Sequence, residues 1–217
     1  MKMKIMLFIF LLVLFTGCST LATYISNVDS DYEIIPIKIE QGFLKKLKIS
    51  AGNYSLQQTK SKTFGFGVNN ISWGKTGNKY IFYGNNTKIG ETEIYRKEIG
   101  IGSLSISSRH NNIIIDGAAK EYTILGITNG NYAVYNDNLI GTVVIKNYHS
   151  INKNNPENKW TYHTGFEIFI NNELYGILGF YPLPVLYKNK GNTIKENEDR
   201  LMLYIITSFQ TFREMEN

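Results

Sequence analysis

Leu201 to Ile206 of this chain are six apolar residues in succession, and Phe209 and Phe212 follow one and two turns later. Wound as a helix, those six side chains point in every direction. A helix apolar all round must be enclosed, either by a protein core or by a membrane. The run is far short of the roughly 20 residues needed to cross a bilayer, so it must lie inside the protein. Thr193-Ile-Lys-Glu196 has capping-box spacing, in which a threonine oxygen and a glutamate answer the free amides of a helix start. Glu196, Glu198 and Asp199 suit the positive end of the helix dipole and Arg213 the negative end. These signals predict a helix over about 194–214, roughly 30 Å long at 1.5 Å per residue.

Nearly everything upstream reads as β-hairpins. Ile35, Ile37 and Ile39 alternate with polar residues, and Pro36 marks an edge or an irregular start. Leu44 to Ser50, Asn53 to Thr59 and Thr63 to Val68 follow as strands, the last two separated by a polar turn at Lys60-Ser61-Lys62. Three hairpins repeat one plan: Lys79–Tyr83 with Glu91–Lys97, Tyr132–Tyr135 with Thr142–Lys146, and Phe166–Ile170 with Ile177–Tyr181. Their Asn- and Gly-rich turns supply the positive φ angles that tight hairpins need. Ser103–Ser108 turning at Asn111-Asn112 into Ile113–Asp116, and Glu121–Thr128 turning at Asn129-Gly130, add further pairings. Gly90, Gly141 and Gly176 stand just inside three return strands, where a curving sheet needs kinks. The count is about 11 to 13 strands, and the expected fold is mainly β. It is an antiparallel closed barrel of about 12 strands around the buried C-terminal helix.

The N-terminus sets the compartment. Lys2 and Lys4 precede an apolar run from Ile5 to Phe15, and Thr16-Gly17-Cys18-Ser19 follows, the layout of a secretory signal. The stretch resembles bacterial lipoprotein signals, with Phe15 where leucine is usual. That resemblance implies a signal peptide over 1–17 and lipidation of Cys18 with palmitate-type acyl chains. Two or three chains anchor stably where one would be marginal. Ser19 points to the outer rather than the inner membrane of the cell envelope. A tether over 18–31 then leads into a single domain over 32–217, a size that all-β domains reach undivided. No other cysteine is present. Disulfides and thiolate metal sites are excluded, and stability must come from an ordinary core. Without Lys2 and Lys4, 21 basic residues face 18 acidic ones, and a net charge of +3 is too mild to indicate a nucleic-acid partner.

A barrel of about twelve strands closed on a hydrophobic C-terminal helix resembles the tubby-like superfold, which includes tubby C-terminal domains, LURP-one-related proteins and phospholipid scramblases. The likeness is carried by the aliphatic or aromatic residue before glycine in each hairpin (Ile89-Gly90, Ile140-Gly141, Tyr175-Gly176) and by the closing Glu198-to-Ile206 stretch. It implies membrane phosphoinositide binding or lipid movement for some members. None of their lipid- or calcium-binding residues maps onto positions here, and fold likeness is a weak warrant for function. The alternative is a lipocalin-like barrel carrying a lipophilic small molecule, with an open cavity and an amphipathic helix outside. Leu201 to Ile206 has no polar face to present outward, and the Gly-x-Trp element of that group is missing, because Ile71-Ser72 precedes Trp73.

The chain carries no Gly-x-Ser-x-Gly elbow, no His-Glu-x-x-His and no phosphate-loop spacing. His110, His149 and His163 do not pair at metal-ligand spacing. Glu91 and Glu93 share a strand face beside Arg96 and Lys97, as a solvated edge requires. Trp73, Trp160 and the tyrosines are expected as wall and rim packing. The chain is therefore expected to be no enzyme and to need no metal or cofactor. Lys45, Lys46, Lys48, Lys60 and Lys62 form the densest basic region and are the candidate contacts for anionic lipid. Each lysine near a charged surface contributes about 1 kcal/mol. The expected protein is a membrane-anchored, non-enzymatic binding module that engages lipid headgroups or envelope proteins.

Overall fold

A computed structural model describes residues 31–42, 45–68, 71–125, 130–151, 161–180, 183–191 and 197–216. Twelve antiparallel strands form one sheet: β1 (Tyr32–Gly42), β2 (Lys45–Ala51), β3 (Tyr54–Val68), β4 (Ile71–Gly84), β5 (Thr87–Ile101), β6 (Leu104–Ile115), β7 (Ala118–Ile124), β8 (Asn131–Asp137), β9 (Gly141–Ile151), β10 (Thr161–Ile170), β11 (Glu173–Gly179) and β12 (Val185–Asn189). A single helix among the described residues, α1 (Glu198–Glu216), follows them. The sheet order is β7-β6-β5-β4-β3-β2-β1-β12-β11-β10-β9-β8. Only β1 pairs with the last strand of the chain; every other step joins strands consecutive in sequence.

Local chemistry explains the tight turns. Asn85 and Asn86 (φ 50 and 64), Asp116 and Gly117 (φ 53 and 78), and Asn171 and Asn172 (φ 50 and 71) all adopt the left-handed conformation. That is the two-residue hairpin geometry matching the twist of the flanking strands. These turns, Tyr32 and the start of α1 lie at one end of the barrel, here the proximal end. The β3–β4 and β5–β6 connections lie at the distal end.

The sheet curls until β7 and β8 meet, and the barrel is nearly closed rather than closed. The described residues of β7 and β8 share no ladder. The Leu125 amide donates to the Tyr132 carbonyl at 2.9 Å. Beyond it, Lys120 Nζ and the Tyr122 hydroxyl donate to the Asn136 carbonyl at 2.7 and 3.3 Å. Side chains thus replace backbone along this seam. Behind it, the rings of Tyr122, Tyr135 and Tyr204 pack with centroids 4.6 to 6.1 Å apart.

α1 runs through the lumen, and Leu201 to Thr211 are buried without a break. It meets the wall on several sides. A Cβ on Gly90 of β5 would stand 3.2 Å from Leu203. Phe209 packs 5.7 Å from Phe180, after β11, and Phe212 5.8 Å from Phe166 of β10. The open lumen and outer helix of the lipocalin-like alternative are not what forms. Asn197, at φ 71, breaks the helical path immediately before Glu198, so α1 begins a few residues after the expected 194. The Thr193–Glu196 capping box lies outside the described residues.

Two expected turns are absent. Residues 60–62 belong to β3, whose ladder with β4 continues to Val68 opposite Ile71 after a bulge between Gln58 and Lys60. The bulge absorbs the polar stretch that otherwise reads as a turn. Asn111-Asn112 likewise lies within β6. Asn111 is fully buried because α1 supplies its partners: Thr211 Oγ1 donates to Asn111 Oδ1 at 2.9 Å, and Asn111 Nδ2 donates to the Tyr135 hydroxyl at 3.1 Å.

Candidate docking surface

The sequence-predicted lysines fall on one wall. Inward positions of β2 are Leu47, Ile49 and Ala51, all buried, so Lys46 and Lys48 face outward from the same strand. Lys45 opens β2 opposite Gly42; its side chain lies outside the described set. The bulge in β3 turns Lys60 and Lys62 to the same outer face, opposite Lys79 and Gly77 of β4. Lys46 Nζ donates to the Thr59 carbonyl at 2.9 Å, which bridges β2 to β3. Lys60, Lys62 and Lys79 form no ion pair among the described residues.

Four strands outrun the barrel. The described pairing of β2 with β3 ends at Gln57, and that of β7 with β6 ends at Arg109. Residues 60–68, 71–77, 95–101 and 104–108 therefore project at the distal end as a four-stranded apron. Its register places side chains unambiguously. Phe66 stands opposite Trp73, Trp73 opposite Ile99 and Ile99 opposite Ile106. Val68, Ile71, Ile101 and Leu104 form the terminal row by the same ladders. With Phe64, nine large apolar side chains share one face, each between 40% and 76% exposed. Interior positions of β4 and β5 (Tyr80, Phe82, Thr92, Ile94) have the opposite parity, so this face continues the barrel's outside. The reverse of the apron carries Thr63, Gly65, Gly67, Ser72, Gly74, Gly100, Ser105 and Ser107. At roughly 100 Å² of exposed surface per large side chain, the patch approaches 900 Å². That exceeds the few hundred Å² usual on a monomer.

A charged band separates this patch from the barrel. Lys75 and Lys97 stand opposite one another one row behind Trp73 and Ile99. Lys75 Nζ lies 3.7 Å above the Tyr95 ring and 3.4 Å from Glu93. Lys97 Nζ donates to Glu121 Oε1 at 2.8 Å. The Tyr95 hydroxyl also donates to Glu121. These bonds hold the Glu121 carboxyl below the ordinary glutamate range. Glu91 and Glu93 share the outer face as expected and pair with Lys88 and Lys75; Arg96 points to the other face of β5. Trp73 is 40% exposed on the apron and does not pack in the wall.

His110 sits within β6, nearly buried, with its ring 5.4 Å from that of Tyr95. Burial and the neighbouring lysine charges push its pKa down, against Glu121. Ser108 Oγ lies 2.8 Å from His110 Nε2, and Glu121 Oε1 lies 3.1 Å from Nδ1 outside hydrogen-bonding geometry. Serine, histidine and carboxylate in that sequence are the parts of an acyl-transfer site. An acyl-transfer triad needs its carboxylate bonded to the histidine, and Glu121 is instead bonded to Tyr95 and Lys97. Glu121 thereby ties β7 to β5 across β6 at the base of the apron. His149 and His163 are partners in the β9–β10 register. Among the described residues no group of three His, Cys, Asp or Glu could hold a metal ion.

No protein-family model, curated protein or solved structure matches this chain. Its surfaces must be read from their own chemistry. Among the described residues no helix is long and apolar enough to cross a membrane. Cys18 and Trp160 lie outside those residues. At the proximal end a shallow depression of about 390 Å³, lined by Asp31, Tyr32, Asn189, Lys190 and Gly191, marks where the chain enters the barrel. The apron is the feature that reading the sequence missed. Its signal was present as Phe64-Gly-Phe66-Gly-Val68 and Leu104-Ser-Ile106-Ser, apolar residues alternating with the smallest ones.

Proposed function

We propose that this protein is a non-enzymatic docking module, tethered to a bacterial membrane by acyl chains on Cys18, that engages lipid headgroups or an envelope protein through its outer wall. One observation carries the reading: the exposed apolar face of the apron, bordered by Lys60, Lys62, Lys75, Lys79 and Lys97. The filled lumen supports it, because a barrel occupied by its own helix is left with its exterior for binding. Kinship with the tubby-like superfold belongs to the same proposal and is supported by the barrel-around-helix arrangement. Residence in the cell envelope, on the outer membrane, follows from the Cys18-Ser19 pair.

Two measurements test this. Metabolic palmitate labelling should mark the full chain and vanish when Cys18 is replaced by Ser; an unlabelled wild type removes the anchor. The chain from Ser19 onward keeps every core element, and it should still sediment with isolated envelope membranes in a salt-sensitive way. If it stays wholly in the supernatant at low salt, the molecule is anchored but does not dock, and the reading fails. Cutting before Glu198 should abolish cooperative unfolding. A chain that stays folded without α1 would restore the carrier alternative.

A further inference from the structure

We infer that the outer face of the apron inserts into the interface of an anionic lipid bilayer. This rests on the docking reading above and deepens it by naming the surface bound and the side chains that enter it.

Three features favour a bilayer over a protein partner. The first is the order of chemistry along the strands. From the distal tip towards the barrel, β4 presents Ile71, Trp73, Lys75, Gly77 and Lys79 on this face, and β5 presents Ile101, Ile99 and Lys97. Apolar rows, then an indole, then ammonium groups reproduce the depth profile of a membrane surface, where tryptophan sits at headgroup level and lysines meet anionic lipid. The second is charge. No carboxylate lies on this face between the tip and the Lys75–Lys97 row; behind it Lys60 and Lys62 form no ion pair among the described residues, while Glu93, opposite Lys79, pairs with Lys75. The third is the backbone. The β3–β4, β4–β5 and β5–β6 ladders continue to their last described pairs, Val68 with Ile71 and Ile101 with Leu104. The amides of the two inner strands are therefore already answered when the face meets the membrane, and the open edges of β3 and β6 confine its depth to the interface, where water and headgroups answer them. From Lys75 to Ile71 the strand advances roughly 13 Å at about 3.3 Å per residue. A tilted sheet of that reach fits the ~5–10 Å to which interfacial elements bury.

Trp73 is a built-in reporter, since the chain holds only two tryptophans. In the chain from Ser19 onward carrying Trp160→Phe, vesicles of phosphatidylglycerol and phosphatidylcholine should bind at least tenfold more tightly than phosphatidylcholine alone. Trp73 emission should shift to the blue and be quenched by lipids brominated near the headgroup end of the acyl chain. Lys60→Gln with Lys62→Gln should weaken binding about 25-fold, from about fivefold per lysine. Phe66→Ser with Ile101→Ser and Leu104→Ser, all at exposed positions that leave the fold intact, should abolish the quenching. Binding to anionic vesicles without quenching overturns insertion while the docking reading stands. Absence of binding to either vesicle by the folded chain overturns the inference and leaves docking to rest on a protein partner. A dimer that the triple serine variant dissolves would show that a second copy covers the face, and would overturn it as well.

Discussion

Asp137, the last residue of β8, ties the start of α1 to the barrel, and replacing it with asparagine measures that tie. Its side chain is 3% exposed. Oδ1 accepts the amides of Leu139 and Ile140 at 2.8 and 3.2 Å, fixing the turn before β9. Oδ2 accepts the Tyr204 hydroxyl at 2.6 Å and Arg200 Nε at 3.0 Å. In Asp137→Asn one of these oxygens becomes an amide nitrogen, so two donors lose their acceptor whichever way the amide points. A hydrogen bond to a charged group contributes about 1.5–3 kcal/mol. Breaking a buried ion pair costs about 3–5 kcal/mol. Arg200 keeps Asp116 at 2.6 Å, so the expected loss lies at the lower end of that range, about 3 kcal/mol. For a domain of this size that lowers Tm by about 6–12 °C. Burial pushes the Asp137 carboxyl up, but bonds from Tyr204, the Leu139 amide and Arg200, with the charge of Arg200, outweigh it and hold the pKa below the ordinary aspartate value. A carboxyl depressed in the folded state binds fewer protons there than in the unfolded chain. Its stabilisation is complete above the unfolded value near 4 and is lost as pH falls through the folded one. Urea denaturation should therefore separate wild type and variant at pH 7, and the gap should narrow as pH falls from about 4 through the folded value. A loss under about 1 kcal/mol at pH 7 with unchanged m-value, or a gap that does not narrow at all as pH falls below about 4, would refute the assignment.

Gly90→Val should lower stability by about 1–3 kcal/mol as an overpacked site, because a Cβ there would stand 2.6 Å from the Ile114 carbonyl oxygen. A thermal melt superimposable on wild type would mean that β5 is not pressed at this point between Ile114 of β6 and Leu203 of α1. Asn171→Ala removes the acceptor of the Thr142 amide (3.0 Å) and the donor to the Ile140 carbonyl (3.2 Å). It also places alanine at φ 50. About 2–3 kcal/mol should be lost, read as a shift in denaturation midpoint, and an unchanged midpoint would dismiss the bridge between these two turns.

What could be read without coordinates was what local chemistry decides. Six apolar residues at Leu201–Ile206 demand burial, and Asn85-Asn86 and Asn171-Asn172, each between two alternating runs, favour tight left-handed turns. Polar runs misled where a distant partner answers them. Asn111 resembles a turn residue until α1 and Tyr135 are placed beside it. Ser208, Gln210 and Thr211 form a buried polar stretch whose partners come from strands 73 to 130 residues away, with Ser208 meeting Tyr135, Gln210 meeting Tyr80 and Thr211 meeting Asn111. The outer lysines followed from strand alternation once β2 was located. The apron did not, because period two tells which residues share a face but not whether anything covers it. Only the lengths of β3 to β6 against their shorter neighbours β2 and β7 leave Phe66, Ile101 and Leu104 in the open.

If the proposed acyl anchor on Cys18 and the proposed insertion of the apron both hold, together they constrain how the molecule sits. Tyr32 is at the proximal end and the apron is distal. The 15 residues of β3 extend about 50 Å at roughly 3.3 Å each, or about 40 Å along a barrel whose strands tilt 35–45°. The 14 residues from Cys18 to Asp31 reach about 20 Å as a coil and about 50 Å fully extended. A barrel standing upright on its proximal end would hold the apron beyond the coil's reach of the membrane that anchors it. A barrel lying on its β3–β6 wall meets both demands, because the apolar face belongs to the side of the barrel and β1 lies only two strands from β3. In that posture Lys46, Lys48, Lys60, Lys62 and Lys79 would face the headgroups together. Under the proposed reading, side-on attachment is thus the arrangement in which the lysine wall, the apron and the anchor would act on one membrane.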